Sequence, residues 1–135
     1  MAIPTRYRAA LVERGGGRMV LTADISRNLM LYAQPDWDVL ERKVMALPSL
    51  HPDSRRMQRL LVGYATDVEM DSAHRILIPQ TLRDYAGMSK QLVMLGQGSR
   101  FELWDETQWH AETASWAEAG PPDPTVLQQL NEFSM

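Results

Sequence analysis

The chain has 135 residues, 44% of them hydrophobic and 23% charged, with a formal net charge of −3 and no cysteine. No apolar run approaches the roughly 18 residues that cross a bilayer, and the opening MAIPTRYR has no apolar stretch behind its charges. Membrane insertion, a signal peptide, disulfides, thiolate metal sites and cysteine nucleophiles are thereby excluded, and a cytoplasmic protein of one domain, or of two small intertwined ones, is expected.

In chain order, Pro4 follows a short apolar stretch and suits the first turn of a helix, so MAIPTRYRAA predicts a short helix carrying Arg6 and Arg8. MVLTA (Met19 to Ala23) reads as a strand. A turn-forming stretch separates it from a second apolar segment, LMLYAQPDW (Leu29 to Trp37). DSRRMQRLLV (Asp53 to Val62) sets Met57, Leu60 and Leu61 at helical spacing opposite Arg55, Arg56 and Arg59, which predicts an amphipathic connecting helix. ATDVEMD alternates like a strand and turns through Asp71, Ser72, Ala73 and His74 into Arg75 to Ile78, a predicted hairpin. Pro79 then repeats the helix start, QLVMLG (Gln91 to Gly96) the strand, and FELWDETQW (Phe101 to Trp109) the second apolar segment. AGPPDPT breaks helical structure, after which Val126, Leu127, Leu130 and Phe133 line one face of a last short helix.

The order of these elements repeats. Ile3, Pro4 and Arg8 overlay Ile78, Pro79 and Arg83 at an offset of 75, and Leu31, Tyr32 and Trp37 overlay Leu103, Trp104 and Trp109 at an offset of 72. The slippage of three falls in loops, where length changes are tolerated. Charge is divided unevenly between the ends. Residues 101 to 135 hold seven acids and no Lys or Arg; the other hundred keep all 14 basic residues against 17 − 7 = 10 acids, a net of +4.

Enzymatic constellations are missing. GQGSR (Gly96 to Arg100) is not a nucleophile elbow, ERGGGR (Glu13 to Arg18) lacks the lysine of a phosphate-binding loop, and His51, His74 and His110 have no metal-ligand spacing. No catalytic residue, cofactor or metal is expected.

The tandem β-α-β-β pattern, the D-x-x-x-R turn leading into ILIPQTLRDYAG, and LGQGSRFELWDETQW together resemble the MraZ family of bacterial transcriptional regulators, over Met1 to about Trp109 and most densely from Ala65 to Trp109. The resemblance implies an α+β fold of two tandem swapped-hairpin units like those of AbrB and SpoVT. Residues 1–47 would form the first unit with its following helix, 48–64 a connecting helix, 65–118 the second unit with its helix, and 119–135 a flexible acidic tail. It implies a repressor that binds double-stranded DNA boxes at the promoter of its own division and cell-wall gene cluster, as a ring-shaped homo-oligomer associated with the nucleoid. A protein-interaction module that binds DNA weakly is the alternative.

The family's units begin with a strand and an Asp-x-x-Gly-Arg-like turn, but the first unit here starts directly after that turn, since Met1 aligns with Ile76. A start codon farther upstream is the expected explanation, a lost hairpin the other. His74 stands where the family pattern has glycine; histidine tolerates positive φ better than most residues, and it is either a turn residue or a DNA contact. Arg75 matches the family's turn arginine. Its guanidinium fork suits a phosphate or a guanine edge, or else it forms a salt bridge with Asp71 that pins the turn. Asp71 is the turn-orienting residue in either case. Arg6, Arg8 and Arg83 lie on or beside the short helices, as DNA contacts or as a solvated face; Arg55, Arg56 and Arg59 serve subunit packing or solvation. Trp37, Trp104 and Trp109 recur beside apolar strands and are expected to pack.

Overall fold

Proline sets the first turn of both short helices. In the computed structural model, which describes residues 1–134, Pro4 (φ −54°) precedes α1 (Thr5–Gly15) and Pro79 (φ −57°) precedes α4 (Gln80–Tyr85). Between and after them lie β1 (Arg18–Ala23), β2 (Leu29–Ala33), α2 (Gln34–Met45), α3 (Pro52–Leu61), β3 (Thr66–Glu69), β4 (Leu92–Gln97), β5 (Arg100–Asp105), α5 (Glu106–Glu118) and α6 (Pro124–Ser134). The described residues thus form a mixed α+β fold with one antiparallel sheet in the order β3-β1-β2-β5-β4.

Nearly every side chain of β1 and β2 is buried, because helices cover both faces of the sheet there. On one face Leu11 of α1, Leu82 of α4 and Ala86, which caps α4, pack with Leu21, Leu29, Leu31 and Leu103. On the other, Trp37 and Val44 of α2 and Leu61 of α3 close over Val20, Met30 and Tyr32. Continuous apolar runs such as MVLTA are the signature of strands buried on both sides.

The repeat takes a definite geometry. Met30 pairs with Glu102, its equivalent at offset 72. The Met1 ammonium donates to Ile76 O and the Ile76 N–H to Met1 O, both at 2.8 Å, and these two residues are equivalent at offset 75. In an antiparallel pair a residue faces its own repeat equivalent only where a local two-fold axis relates the copies. β3 lies on the far side of this axis from β4 and β5, which follow it in sequence, and pairs with β1.

Two expected segments end differently. LMLYAQPDW leaves the sheet at Ala33, since Pro35 has no N–H for a ladder and fits the first helical turn, which puts Trp37 on α2. FELWDETQW turns at Asp105, which is buried and caps α5. Its carboxylate accepts Ser89 Oγ–H at 2.6 Å, Ser89 N–H at 2.9 Å and Gln108 N–H at 3.2 Å, and the Ser89 hydroxyl above all holds it below the usual carboxylate range.

The predicted hairpin is also corrected. Asp71 N–H donates to Arg75 O at 2.9 Å, but Arg75 to Ile78 form no sheet strand. Beyond the turn the chain leaves β3 and zips instead to the amino terminus: Arg75 bridges Ala2, and Ile3 N–H donates to His74 O at 2.9 Å. Burial explains the departure, because this path drops Ile76 and Ile78, each 3% exposed, into the main core and leaves Leu77 outside.

Candidate nucleic-acid interface

The Asp71 to Arg75 turn is built from its own backbone. One carboxylate oxygen of Asp71 accepts the N–H groups of Ala73 (2.8 Å) and Arg75 (2.9 Å), while His74 N–H donates to Asp71 O at 3.0 Å. This is the Asx arrangement that favours aspartate at the head of a turn. The Arg75 N–H is the main reason that the Asp71 carboxyl sits below its ordinary range. The Asp71–Arg75 ion pair, one of the two alternatives for Arg75, is not formed among the described residues; Asp71 holds the Arg75 backbone, and the exposed guanidinium is not used to close the turn.

His74 adopts φ 58°, the left-handed region, as the glycine-like position requires. His74→Gly is expected to raise folding stability by about 0.5–1 kcal/mol, and His74→Val to lower it by about 1–2 kcal/mol, in chemical denaturation. Equal stability of the two variants would show that the turn carries no strain.

Cations gather around this turn. Burial first, then the charges of Arg75 and Arg83, hold the Met1 ammonium below its usual range. An open cleft of about 440 Å³ beside them is lined by Met1, Ala2, Pro4, Arg83, Lys90 and Leu92. Lys90 escaped the sequence reading, since it lies in a loop with no period to reveal its direction.

Arg8 and Arg83, equivalent at offset 75, are both tied to nearby backbone. Arg8 Nε–H donates to Ile3 O at 2.8 Å, and Arg83 Nη2–H to Ser89 O at 3.1 Å. Each still has N–H groups to offer, because a guanidinium has five. Arg6 lies 4.8 Å over the Tyr7 ring, and the Tyr7 hydroxyl accepts Gly96 N–H at 3.0 Å, fastening α1 to β4. Arg55 and Arg59 are exposed on α3, and Arg56 pairs there with Asp53. Trp37, Trp104 and Trp109 all take part in ring contacts. No described group of three or more His, Asp or Glu residues is placed to hold a metal ion, and no described helix is long and apolar enough to cross a membrane.

Residues 61–125 match the family model described as "MraZ protein, putative antitoxin-like". Among curated proteins, the chain is 44% identical to the transcriptional regulator MraZ of Coxiella burnetii over all of this chain and 90% of that protein. It is 47% identical to that of Nitrosospira multiformis, again over all of this chain and 90% of the relative. With that of Thioalkalivibrio sulfidiphilus the identity is 49%, over 86% of this chain and 77% of the relative.

Proposed function

The chain belongs to the MraZ family, and from that premise we propose that it regulates transcription by binding double-stranded DNA as a homo-oligomeric ring, repressing the division and cell-wall gene cluster that encodes it. Its two repeat copies act in this reading as swapped-hairpin units, with β3 of the second lent to the sheet of the first. The observation that supports DNA binding best is the exposed Arg75 on a turn pre-organised by Asp71, where it bridges Ala2 beside a cleft lined by Arg83 and Lys90. Arg75 reads a base edge or phosphate, and Arg83 and Lys90 add sequence-independent attraction. Arg6, Arg8 and His74 stand as further contacts on the same account. One such site binds weakly; several on one ring raise avidity by roughly 10² to 10⁴ when operator boxes repeat.

The exposed Leu127, Leu130 and Phe133 favour a second reading, an oligomer that acts on a partner protein. Fluorescence anisotropy on DNA from upstream of the gene, between 50 and 200 mM salt, separates the two. Binding through phosphates falls with a log–log slope of about −0.9 per neutralised phosphate. Binding that is absent, or indifferent to salt, would overturn the DNA-binding reading.

A further inference from the structure

The second half of the molecule has a face without its helix. In the first half α3 closes one side of the sheet: Leu61 and Met57 pack onto Val20, Met30, Tyr32, Trp37 and Val44, Gln58 Nε2–H donates to Val44 O at 3.1 Å, and the Thr22 hydroxyl donates to Leu61 O. At offset 72 the equivalents of Tyr32, Trp37 and Val44 are Trp104, Trp109 and Trp116. These indoles form a ladder, with ring centroids 5.4 and 5.5 Å apart, that climbs from the buried Trp104 on the sheet through the half-buried Trp109 to Trp116, 54% exposed, on α5.

A helix of the right kind exists in the sequence. α3 begins at Pro52 and α6 at Pro124, again 72 residues apart, so α6 is the repeat equivalent of α3. α6 carries Val126, Leu127, Leu130 and Phe133 at helical spacing, and they are 55%, 42%, 59% and 87% exposed. Its linker differs from that of α3. Residues 46–51 join α2 to α3 with one proline, whereas 119–123 join α5 to α6 in one residue fewer, with Gly120 at φ 80° followed by Pro121 and Pro122. Consecutive prolines are stiff and extended. After this shorter, stiffer connection the apolar residues of α6 stay exposed, as does Trp116, so two apolar surfaces that correspond in the repeat are not buried against each other within one chain.

We propose that α6 of one copy lies across the Trp109 and Trp116 face of a second copy, taking there the place that α3 takes within the chain. The proposal rests on the homo-oligomer reading above and names its interface. Each copy gives one helix and receives one, as in exchange of an element between protomers, and every such contact buries both surfaces at once. A hydrophobic side chain on an otherwise polar helix is then the anchor, and the ladder is its pocket.

Gln58 and Val44 touch through α3, and their equivalents are Leu130 and Trp116, which sets the test. The chain has no cysteine, so Trp116→Cys with Leu130→Cys in one full-length chain places two thiols alone. Mild oxidation is expected to give chain-to-chain disulfide ladders. In sedimentation, Leu130→Asp is expected to raise the concentration needed for assembly at least tenfold, with the melting transition and far-ultraviolet dichroism close to the parent's. A disulfide formed within single chains, or a Leu130→Asp protein that assembles like the parent, overturns the interface while leaving the ring reading intact. A parent chain that sediments as a monomer overturns both.

Discussion

Replacing Arg75 by alanine is expected to lower operator affinity by roughly 1–3 kcal/mol for each engaged subunit, about 5- to 150-fold per site, and by more for a ring that engages several boxes at once. The sign and size follow from the turn. Asp71 holds the Arg75 N–H rather than its guanidinium, so truncation of the side chain removes a ligand contact and leaves the turn's hydrogen bonds in place. The Arg75→Ala protein should melt close to the parent. Asp71→Ala should behave in the opposite way, losing the acceptor for two N–H groups and thus turn order and stability, with affinity falling as a consequence. Gel shifts and thermal melts of both variants across a salt series separate these effects. A folded, assembled Arg75→Ala protein that binds operator DNA like the parent would remove Arg75 from the interface.

The largest effect on stability is expected at Leu103. This side chain is 0% exposed, pairs with Leu29 on β2 and Met94 on β4, and lies next to Glu102, which meets Met30 on the local two-fold axis. Leu103→Ala should cost about 2–5 kcal/mol, through lost transfer energy and the cavity left behind, since β2, β4 and β5 are hydrogen-bonded around it and cannot collapse inward. Against a total of about 5–15 kcal/mol for an ordinary domain, that is a large fraction. Leu77→Ala, at a side chain 83% exposed, should stay within about 0.5 kcal/mol of the parent. Urea denaturation at constant protein concentration measures both. A small loss at Leu103 would mean that the centre of the sheet relaxes far more than its pairing suggests.

Much of the α+β order was legible in the linear sequence, because buried strands and proline-started helices leave local marks. MVLTA and the run after Pro79 needed only a few residues each to declare themselves. Non-local pairing left no such mark. Arg75 to Ile78 alternates like a hairpin arm, and only the competition between β3 and the distant Met1 to Ile3 segment decides where it pairs. The amphipathic spacing of Val126 to Phe133 correctly marked the last helix, α6. Its equivalence to α3 stayed hidden because, among the apolar residues of the two helices, only Leu61 and Phe133 coincide at offset 72, where Leu130 answers Gln58. For the candidate site, the Asp-x-x-x-Arg spacing pointed to the turn, but the choice between ion pair and backbone cap depends on a direction of the Asp71 side chain that no spacing encodes.

The pairing of Met30 with Glu102 has a consequence for how the protein is made. Contacts that join distant parts of a chain must wait for loop closure, and they slow folding relative to local ones. At about 5–20 residues per second, a ribosome delivers β5 roughly 4–15 s after β2. β3 emerges about halfway through that interval; until then both edges of the nascent β1–β2 ribbon are unpaired, and afterwards the edge of β2 that takes β5 stays open. The interval, rather than the finished molecule, is when this chain is most exposed to aggregation and most dependent on chaperones.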